Sequence, residues 1–282
     1  MNDLRPYRQM KDSGVECLGD VPAHWEVRRL RNLVEMRASN VDKHVRDDEK
    51  AVRLCNYVDV YNHDHIRSDM NFMAATATAA EVDRFRLKKG DVLITKDSED
   101  WTDIGVPAVV EEAADDVLCG YHLALLRPRV DVKGEFLLRV LQGNASALQF
   151  RVRANGVTRY GLSHNAIKSV WLPVPPLAEQ ADIVRFLDRA TSRIDGYVRS
   201  KEQLLGPQRQ TRETSGLLGE YRDRLISDVV TGKLDVRDVA ARLPNEPEDP
   251  GTLGCDHSLA ESGKHQRSPA GNGTYDREEA IQ

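Results

Sequence analysis

The chain has 282 residues, of which 40% are hydrophobic and 30% charged, and its formal net charge is −5. This length fits one large domain, or one domain with an appendage, and the hydrophobic content is sufficient for a core. No segment approaches the roughly 18 apolar residues that a membrane-spanning helix requires, and the N-terminal residues lack the apolar stretch of a signal peptide. We therefore expect no membrane association and a cytoplasmic location.

The negative charge is concentrated at the C-terminal end. Residues 235–282 contain ten acidic and five basic side chains, an excess that equals the net charge of the whole chain. In contrast, residues 136–178 contain no acidic side chain, although they include several arginines and a lysine. The chain therefore has a local basic segment that its net charge conceals.

Short apolar runs bounded by turn residues follow one another in the first half of the chain. The runs VRLCNYVDVY, KKGDVLIT, VPAVVE and YHLALLRP predict strands. The apolar spacing of GEFLLRVLQG predicts a helix over 134–143, and Ser163 is placed to cap a short helix in LSHNAIKSV. We predict an α/β domain with a mixed sheet over residues 1–175.

A long helical pattern begins after Pro175 and Pro176. Its apolar residues alternate at spacings of four and three, which is typical of a coiled-coil seam, and a polar segment, GPQRQTRETSG, interrupts it at Gly206–Gly216. We predict a helical spacer in two pieces over residues 176–234, with a narrow apolar stripe that needs a partner, in the same chain or another. The predicted seam residues are Ile183, Leu187, Ile194, Leu204, Leu218 and Leu225.

The C-terminal residues have the composition of a disordered segment. From Pro244 onward the sequence is rich in proline, glycine, serine and charge, without an apolar period. We predict a disordered acidic tail over 235–282.

The sequence contains no recognisable catalytic constellation. The four cysteines are scattered, which favours neither a zinc site nor a disulfide framework, and no nucleotide-binding glycine loop is present. His63 and His65 lie close together, and the segment KDSEDWTD carries four carboxylates between Asp97 and Asp103. We predict no catalytic residue and no metal site, and interpret these carboxylates as a solvated loop.

The segment QFRVRANGVTRYGLSHNAIKSV interleaves cations with amides and hydroxyls. Such a set can neutralise phosphates while amide and guanidinium groups contact base edges. A solvated arginine-bearing face has a similar composition, so the pattern by itself leaves both interpretations open.

Several motifs together resemble one family. MKDSGVECLGDVPAHWEVRRLRNL, LKKGDVLITKDSED, GYHLALLRP, GVTRYGLSHNAIKSVWLPVPPLAEQADIVRFLD and EYRDRLISDVVTGKLDVR, in this order, resemble the specificity subunit of type I restriction-modification systems. The resemblance implies a target recognition domain that reads one half of a split DNA site, followed by a helix that acts as a spacer and docking surface. It also implies that KDSED and GVTRYGLS face DNA.

This resemblance and the basic pattern give the predicted contacts to double-stranded DNA. They are Lys96, Ser98, Arg151, Arg153, Thr158, Arg159, Tyr160, Asn165 and Lys168. The resemblance further implies methyltransferase subunits and a restriction and translocase subunit as partners. We expect no cofactor on this chain, since S-adenosylmethionine, ATP and magnesium would be bound by those partners.

The chain departs from the family pattern in length. The usual subunit has two recognition domains and two spacer helices, whereas this sequence has room for one of each. We therefore expect a half-subunit that pairs with a second copy or with a different half-subunit. Two alternatives stay open: a stand-alone metal-dependent nuclease that uses the Asp97–Asp103 carboxylates, and a coiled-coil scaffold without DNA affinity.

Overall fold

The computed structural model describes residues 4–205 and 209–244. The strands in these residues are β1 (Met10–Asp12), β2 (Asp20–Pro22), β3 (Glu26–Arg29), β4 (Val34–Ala38), β5 (Lys50–Cys55), β6 (His65–Ile66), β7 (Met73–Ala77), β8 (Val92–Thr95), β9 (Asp97–Ser98), β10 (Pro107–Val110), β11 (Val117–Cys119), β12 (Leu123–Pro128), β13 (Asn155–Gly156), β14 (Tyr160–Gly161) and β15 (Trp171–Val174). The helices are α1 (Leu30–Leu33), α2 (Tyr57–Asn62), α3 (Ala79–Phe85), α4 (Gly134–Gln142), α5 (Asn144–Arg151), α6 (His164–Lys168), α7 (Leu177–Leu205), α8 (Arg209–Val230) and α9 (Arg237–Ala240). No helix in the described part of the chain is both long and apolar enough to span a membrane.

We call the α/β part of the chain that precedes α7, residues 4–176, the head. A five-stranded mixed sheet forms its centre. Its strand order is β4-β12-β8-β10-β6, and every pairing is antiparallel except that of β10 with β6. A second sheet, β11-β5-β7, pairs β11 parallel and β7 antiparallel to β5. The predicted mixed-sheet α/β fold is therefore confirmed.

The central sheet is covered on both faces. Along β8, Val92 and Ile94 belong to the core shared with the helices, whereas Leu93 belongs to the core shared with the second sheet. Alternate residues of a strand point to opposite faces, and a strand buried on both faces is a continuous apolar run. This arrangement explains why VLIT and LALL contain no polar alternation.

The structure confirms most of the predicted local elements. β8, β10, β12, α4 and α6 lie within the segments that the sequence indicated. The Ser163 hydroxyl accepts the N–H of Ala166 at 3.1 Å and caps α6 as expected. Pro176 directly precedes α7, and its carbonyl accepts the N–H of Gln180 at 2.9 Å.

One predicted strand is partly wrong. The strand β5 ends at Cys55, and the remainder of VRLCNYVDVY forms α2. The carboxylate of Asp59 accepts the N–H of Asn56 at 2.7 Å, as in a capping box. This local bond and the burial of Val60 outweigh the strand propensity of the valines and tyrosines.

The helices α7 and α8 form an antiparallel hairpin. The hydroxyl of Ser215 donates to Glu202 at 3.1 Å, and Nε of Arg222 lies 3.6 Å from the Asp195 carboxylate, so residues later in α8 meet residues earlier in α7. The prediction of two helical pieces is confirmed. The predicted interruption over Gly206–Gly216 was too long, since α8 already begins at Arg209, and its glutamine, arginine and glutamate residues are good helix formers.

The predicted seam divides into a buried and an exposed part. Ile183 and Leu187 have no exposed surface and belong to the core that α7 shares with α4 and α8. Ile194 and Leu225 are also buried, Leu218 is half-buried, and Leu204 is 80% exposed. The head itself therefore covers the first part of the stripe.

Residues 235–244 correct the predicted start of the tail. Val236 and Ala240 are fully buried, and the N–H of Asp235 donates to the carbonyl of Arg5 at 2.8 Å. Val236 is the N-cap of α9 and Ala240 is its last residue, and α9 packs on α7. Residues 245–282, where the rest of the predicted tail falls, lie outside the described residues.

Candidate nucleic-acid interface

A small sheet joins the two segments that were expected to face DNA. The strand β9 pairs antiparallel with β14, which pairs with β13, so that Ser98 lies opposite Tyr160. The N–H of Leu162 also donates to the carbonyl of Lys96 at 2.8 Å. We call residues 96–103 and 151–168, with Tyr57 and Tyr61, the candidate face. It lies at the end of the central sheet where β8 ends and β12 begins.

Asp97 lies at the centre of this face. Its Oδ1 accepts a hydrogen bond from Nη2 of Arg159 at 2.6 Å, and its Oδ2 lies 2.8 Å from Nδ1 of His122. The hydrogen bond to Asp97 raises the pKa of Arg159 above its ordinary value. The Arg159 side chain is 53% exposed, whereas that of Asp97 is 19% exposed. Asp97 therefore holds one nitrogen of the Arg159 guanidinium, while the rest of this side chain is accessible to solvent.

The turn that carries Arg159 requires a glycine. A Cβ on Gly156 would lie 2.0 Å from the carbonyl oxygen of Arg159, which is too close for any side chain. The short β13–β14 hairpin thus depends on Gly156 for its close backbone approach.

Two of the predicted contacts point into the protein. The Lys96 ammonium donates to the carbonyl of Ser39 at 3.2 Å. Ser98 is buried, and its hydroxyl accepts the N–H of Asp100 at 3.2 Å. Both side chains therefore organise the loop, and the predicted contact of the Ser98 side chain with DNA is not available at the surface.

The other predicted residues surround the hairpin. Nε of Arg151 donates to the carbonyl of Thr102 at 2.8 Å and links α5 to the 97–103 loop, while Nη1 of Arg153 donates to the carbonyl of Gln149 at 2.8 Å. Among the remaining members, Thr158 and Asn165 are exposed, and Tyr160 and Lys168 are partly buried.

Aromatic residues on this face were missed in the sequence. Tyr57 and Tyr61 stack with ring centroids 5.5 Å apart, and Trp101 is 49% exposed. Burial raises the pKa of Tyr57, and a hydrogen bond to Asp103 raises that of Tyr61. The tyrosines are four residues apart, a signal that is visible only if residues 57–62 are recognised as a helix.

Three of the four carboxylates of the 97–103 loop, those of Asp97, Asp100 and Asp103, are hydrogen-bonded to protein groups. Asp100 accepts the N–H and the hydroxyl of Thr102, each at 2.8 Å, and these bonds lower the pKa of Asp100. Among the residues that the structure describes, no group of three or more histidine, cysteine, aspartate or glutamate side chains could hold a metal ion.

A second polar cluster lies where the head joins the hairpin. Gln180 is buried; its Oε1 accepts the N–H of Lys133 at 2.9 Å, and its Nε2 donates to the carbonyls of Asp131 and Pro175 at 3.0 and 2.9 Å. The neighbouring Glu179 accepts a hydrogen bond from the hydroxyl of Tyr7. Glu179 and Gln180 therefore attach the start of α7 to the head.

Comparison with known proteins agrees with these motifs. The family model for the type I restriction modification DNA specificity domain matches residues 22–204. The chain belongs to this family. The part of the chain that this family model matches includes the central and the second sheet, the candidate face and almost all of α7.

The individual relatives of this specificity domain are distant. A type I restriction enzyme MjaX specificity subunit from Methanocaldococcus jannaschii is 24% identical over 173 residues, which are 60% of this chain and 40% of the relative. The HsdS subunit from Thermoanaerobacter tengcongensis is 18% identical with a TM-score of 0.43, over 76% of this chain and 47% of that one. The S subunit from M. genitalium is 14% identical with a TM-score of 0.40, over 64% of this chain and 42% of that one. The chain therefore spans less than half the length of each of these relatives.

Proposed function

We propose that the chain recognises a sequence in double-stranded DNA on behalf of a type I restriction-modification complex, and that the candidate face makes the contacts. The observation that carries this proposal is the small sheet β9-β14-β13, which brings two distant segments into one surface with Arg159 exposed at its centre. The specificity-domain family supports the same interpretation.

The chemistry of the face suits a duplex. An exposed guanidinium can bind guanine O6 and N7 with two parallel donors, and exposed amides and hydroxyls such as those of Asn165 and Thr158 can contact bases or phosphates. The exposed ring of Trp101 offers apolar contact to a thymine methyl group or a sugar. Arg151, Arg153 and Lys168 add positive charge at the edge of the face.

We propose further that the chemical steps occur on partner subunits. In this proposal methyltransferase subunits bind S-adenosylmethionine, and a restriction and translocase subunit binds ATP and magnesium, while this chain catalyses nothing. One head reads one half of a bipartite site, so a second copy or a different half-subunit reads the other. A cytoplasmic location follows from the DNA substrate.

A salt titration of DNA binding tests the proposal. We expect the binding constant for a duplex to fall with salt concentration as phosphate contacts release counterions. Arg159→Ala should weaken binding by about 1–3 kcal/mol at the cognate sequence alone if it contacts guanine, or reduce the salt slope by about one at all sequences if it contacts phosphate. The control is Arg224→Ala, since Arg224 lies on helix α8, outside the candidate face, and its side chain is 84% exposed.

Two results would contradict the proposal. Binding that is absent at low salt would favour the scaffold alternative. Cleavage of the duplex by the purified chain with a divalent metal would favour the nuclease alternative.

A further inference from the structure

The candidate face contains one carboxylate whose two oxygens are held from two different elements. Asp97 contacts Arg159 of the β13–β14 hairpin through Oδ1 and His122, at the start of β12, through Oδ2. Since an ionised carboxylate only accepts hydrogen bonds, the His122 proton belongs on Nδ1. The imidazole also packs on the Tyr121 ring, with centroids 3.8 Å apart. The orientation of the Asp97 carboxylate is thus set by the protein.

Arg159 is the most exposed of the three side chains that share this carboxylate, and Asp97 is the least exposed. The side chains of Asp97, His122 and Arg159 are 19%, 27% and 53% exposed. Within the described residues, Arg159 donates one hydrogen bond, from Nη2, while its Nε and Nη1 have no partner. Four of the five N–H donors of the guanidinium remain free. Asp97 therefore holds the arginine without occupying the donors that DNA would need.

We infer that Asp97 is a positioning residue that directs Arg159 at one base pair, with His122 as its anchor. This inference rests on the proposed DNA recognition. A free arginine side chain loses rotamer freedom when it binds, and holding it in its bound orientation lowers that cost. Two-point contact with guanine depends on the direction of the guanidinium plane, so orientation affects base preference more than total charge does.

A different role for Asp97 predicts opposite behaviour. If the carboxylate only neutralised Arg159, its removal would free a cation and strengthen binding to every sequence, because phosphate attraction is independent of sequence. If it positions Arg159, its removal should abolish a base preference. Affinity for all sequences and preference at one base pair are therefore the two quantities to separate.

The neighbouring Glu99 provides a matched control. It lies in the same loop, is exposed, and has no hydrogen-bond partner among the described residues. Asp97→Ala and Glu99→Ala each remove one carboxylate from the same surface, but only the first removes a hydrogen bond to Arg159. Arg159→Lys is a second, independent variant, since it keeps the charge but lacks the planar fork.

The experiment uses the full chain and a pool of duplexes with a randomised central segment. Sequencing after selection gives the enriched sequence for the wild type and for each variant. Fluorescence anisotropy then compares the enriched duplex with duplexes altered at single base pairs. Thermal unfolding of each variant verifies that it is folded.

We expect Asp97→Ala and Arg159→Lys to lose the same base preference, by about 10- to 100-fold in the ratio of the two binding constants. Glu99→Ala should keep it, and Asp97→Ala combined with Arg159→Ala should lose no more than Arg159→Ala. A folded Asp97→Ala protein with the wild-type preference would overturn the positioning role and leave DNA recognition standing. If Asp97→Ala does not fold, an unchanged preference in Arg159→Lys would overturn it instead. Absence of any enriched sequence for the wild type would overturn the proposed function and this inference together.

Discussion

Single side chains determine how the start of α7 is attached to the head. Glu179 is buried and contacts Tyr7 from the N-terminal segment and His24, whose Nε2 lies 2.8 Å from the carboxylate. Arg237 lies over the Tyr7 ring, with its Cζ 5.0 Å from the centroid. A buried carboxylate needs such partners, because an unpaired buried charge is costly. This cluster joins three parts of the chain that are far apart in sequence.

The Tyr7 hydroxyl gives a prediction at this scale. Burial and, second to it, the hydrogen bond to Glu179 raise the pKa of Tyr7 well above its ordinary value. The hydroxyl therefore stays protonated and donates this hydrogen bond. Tyr7→Phe removes this bond, and we expect the free energy of unfolding to fall by about 1.5–3 kcal/mol, as for hydrogen bonds to charged groups. Urea denaturation measures the change. Tyr197→Phe, on a 51% exposed tyrosine of α7, serves as the control and should leave stability unchanged.

At the scale of elements, the hairpin has a covered part next to the head and an exposed part away from it. Leu187 is fully buried, whereas Leu204 and Leu217 are 80% and 67% exposed. Large exposed apolar side chains on an otherwise polar helix pair are candidates for contact with another helix. The proposed pairing with a second copy or a half-subunit would use this distal part, because the first part of the seam is already filled.

This division predicts different outcomes for charges placed on the exposed and on the buried part of the helical hairpin α7–α8. Leu204→Asp with Leu217→Asp should leave the head folded and abolish any dimer, because the change lies at the exposed part. Leu187→Asp should instead destabilise the whole fold by several kcal/mol, because it buries an unpaired carboxylate. Light scattering measures the oligomeric state, and circular dichroism measures the fold. A dimer that survives the double change of Leu204 and Leu217 would contradict this assignment.

The oligomeric state also predicts the symmetry of the DNA site. If the wild type is a homodimer, its DNA site should be an interrupted palindrome.

At the scale of the whole molecule, the last described residues belong to the folded unit. Val236 and Ala240 are fully buried beside α7, and Arg237 makes two contacts with the carboxylate of Asp235, at 2.9 and 2.6 Å. The acidic composition of residues 235–282 suggested a single tail. The burial of Val236 and Ala240 instead assigns residues 235–244 to the fold, because these two apolar residues, at the N-cap and at the end of α9, dock that short helix.

Two truncations test this boundary. A chain that ends at Pro244 should unfold as cooperatively as the complete chain and bind DNA equally well, since residues 245–282 have no apolar period. A chain that ends at Leu234 should lose about 2–4 kcal/mol of stability, because it exposes the surface that Val236 and Ala240 cover. Thermal unfolding and anisotropy compare the three proteins. Equal stability of the two truncated chains would show that α9 contributes nothing.

The features that depend on near neighbours could be predicted from the amino-acid sequence. The apolar strands, the helix α4, the Ser163 cap and the two helical pieces follow from residue periods and capping residues, and the ordered motifs indicated the family. A period of two or 3.6 residues and a cap are local properties, so they can be recognised without the fold.

The features that depend on distant residues became visible in the folded structure. Asp97 and Arg159 are 62 positions apart, and Tyr7 and Glu179 are 172 apart. The burial of Ile183 and Leu187, the exposure of Leu204 and the helical state of residues 57–62 likewise depend on what packs against them. The physical reason is that burial and hydrogen-bond partners are set by the packing of elements that meet only after the chain has folded.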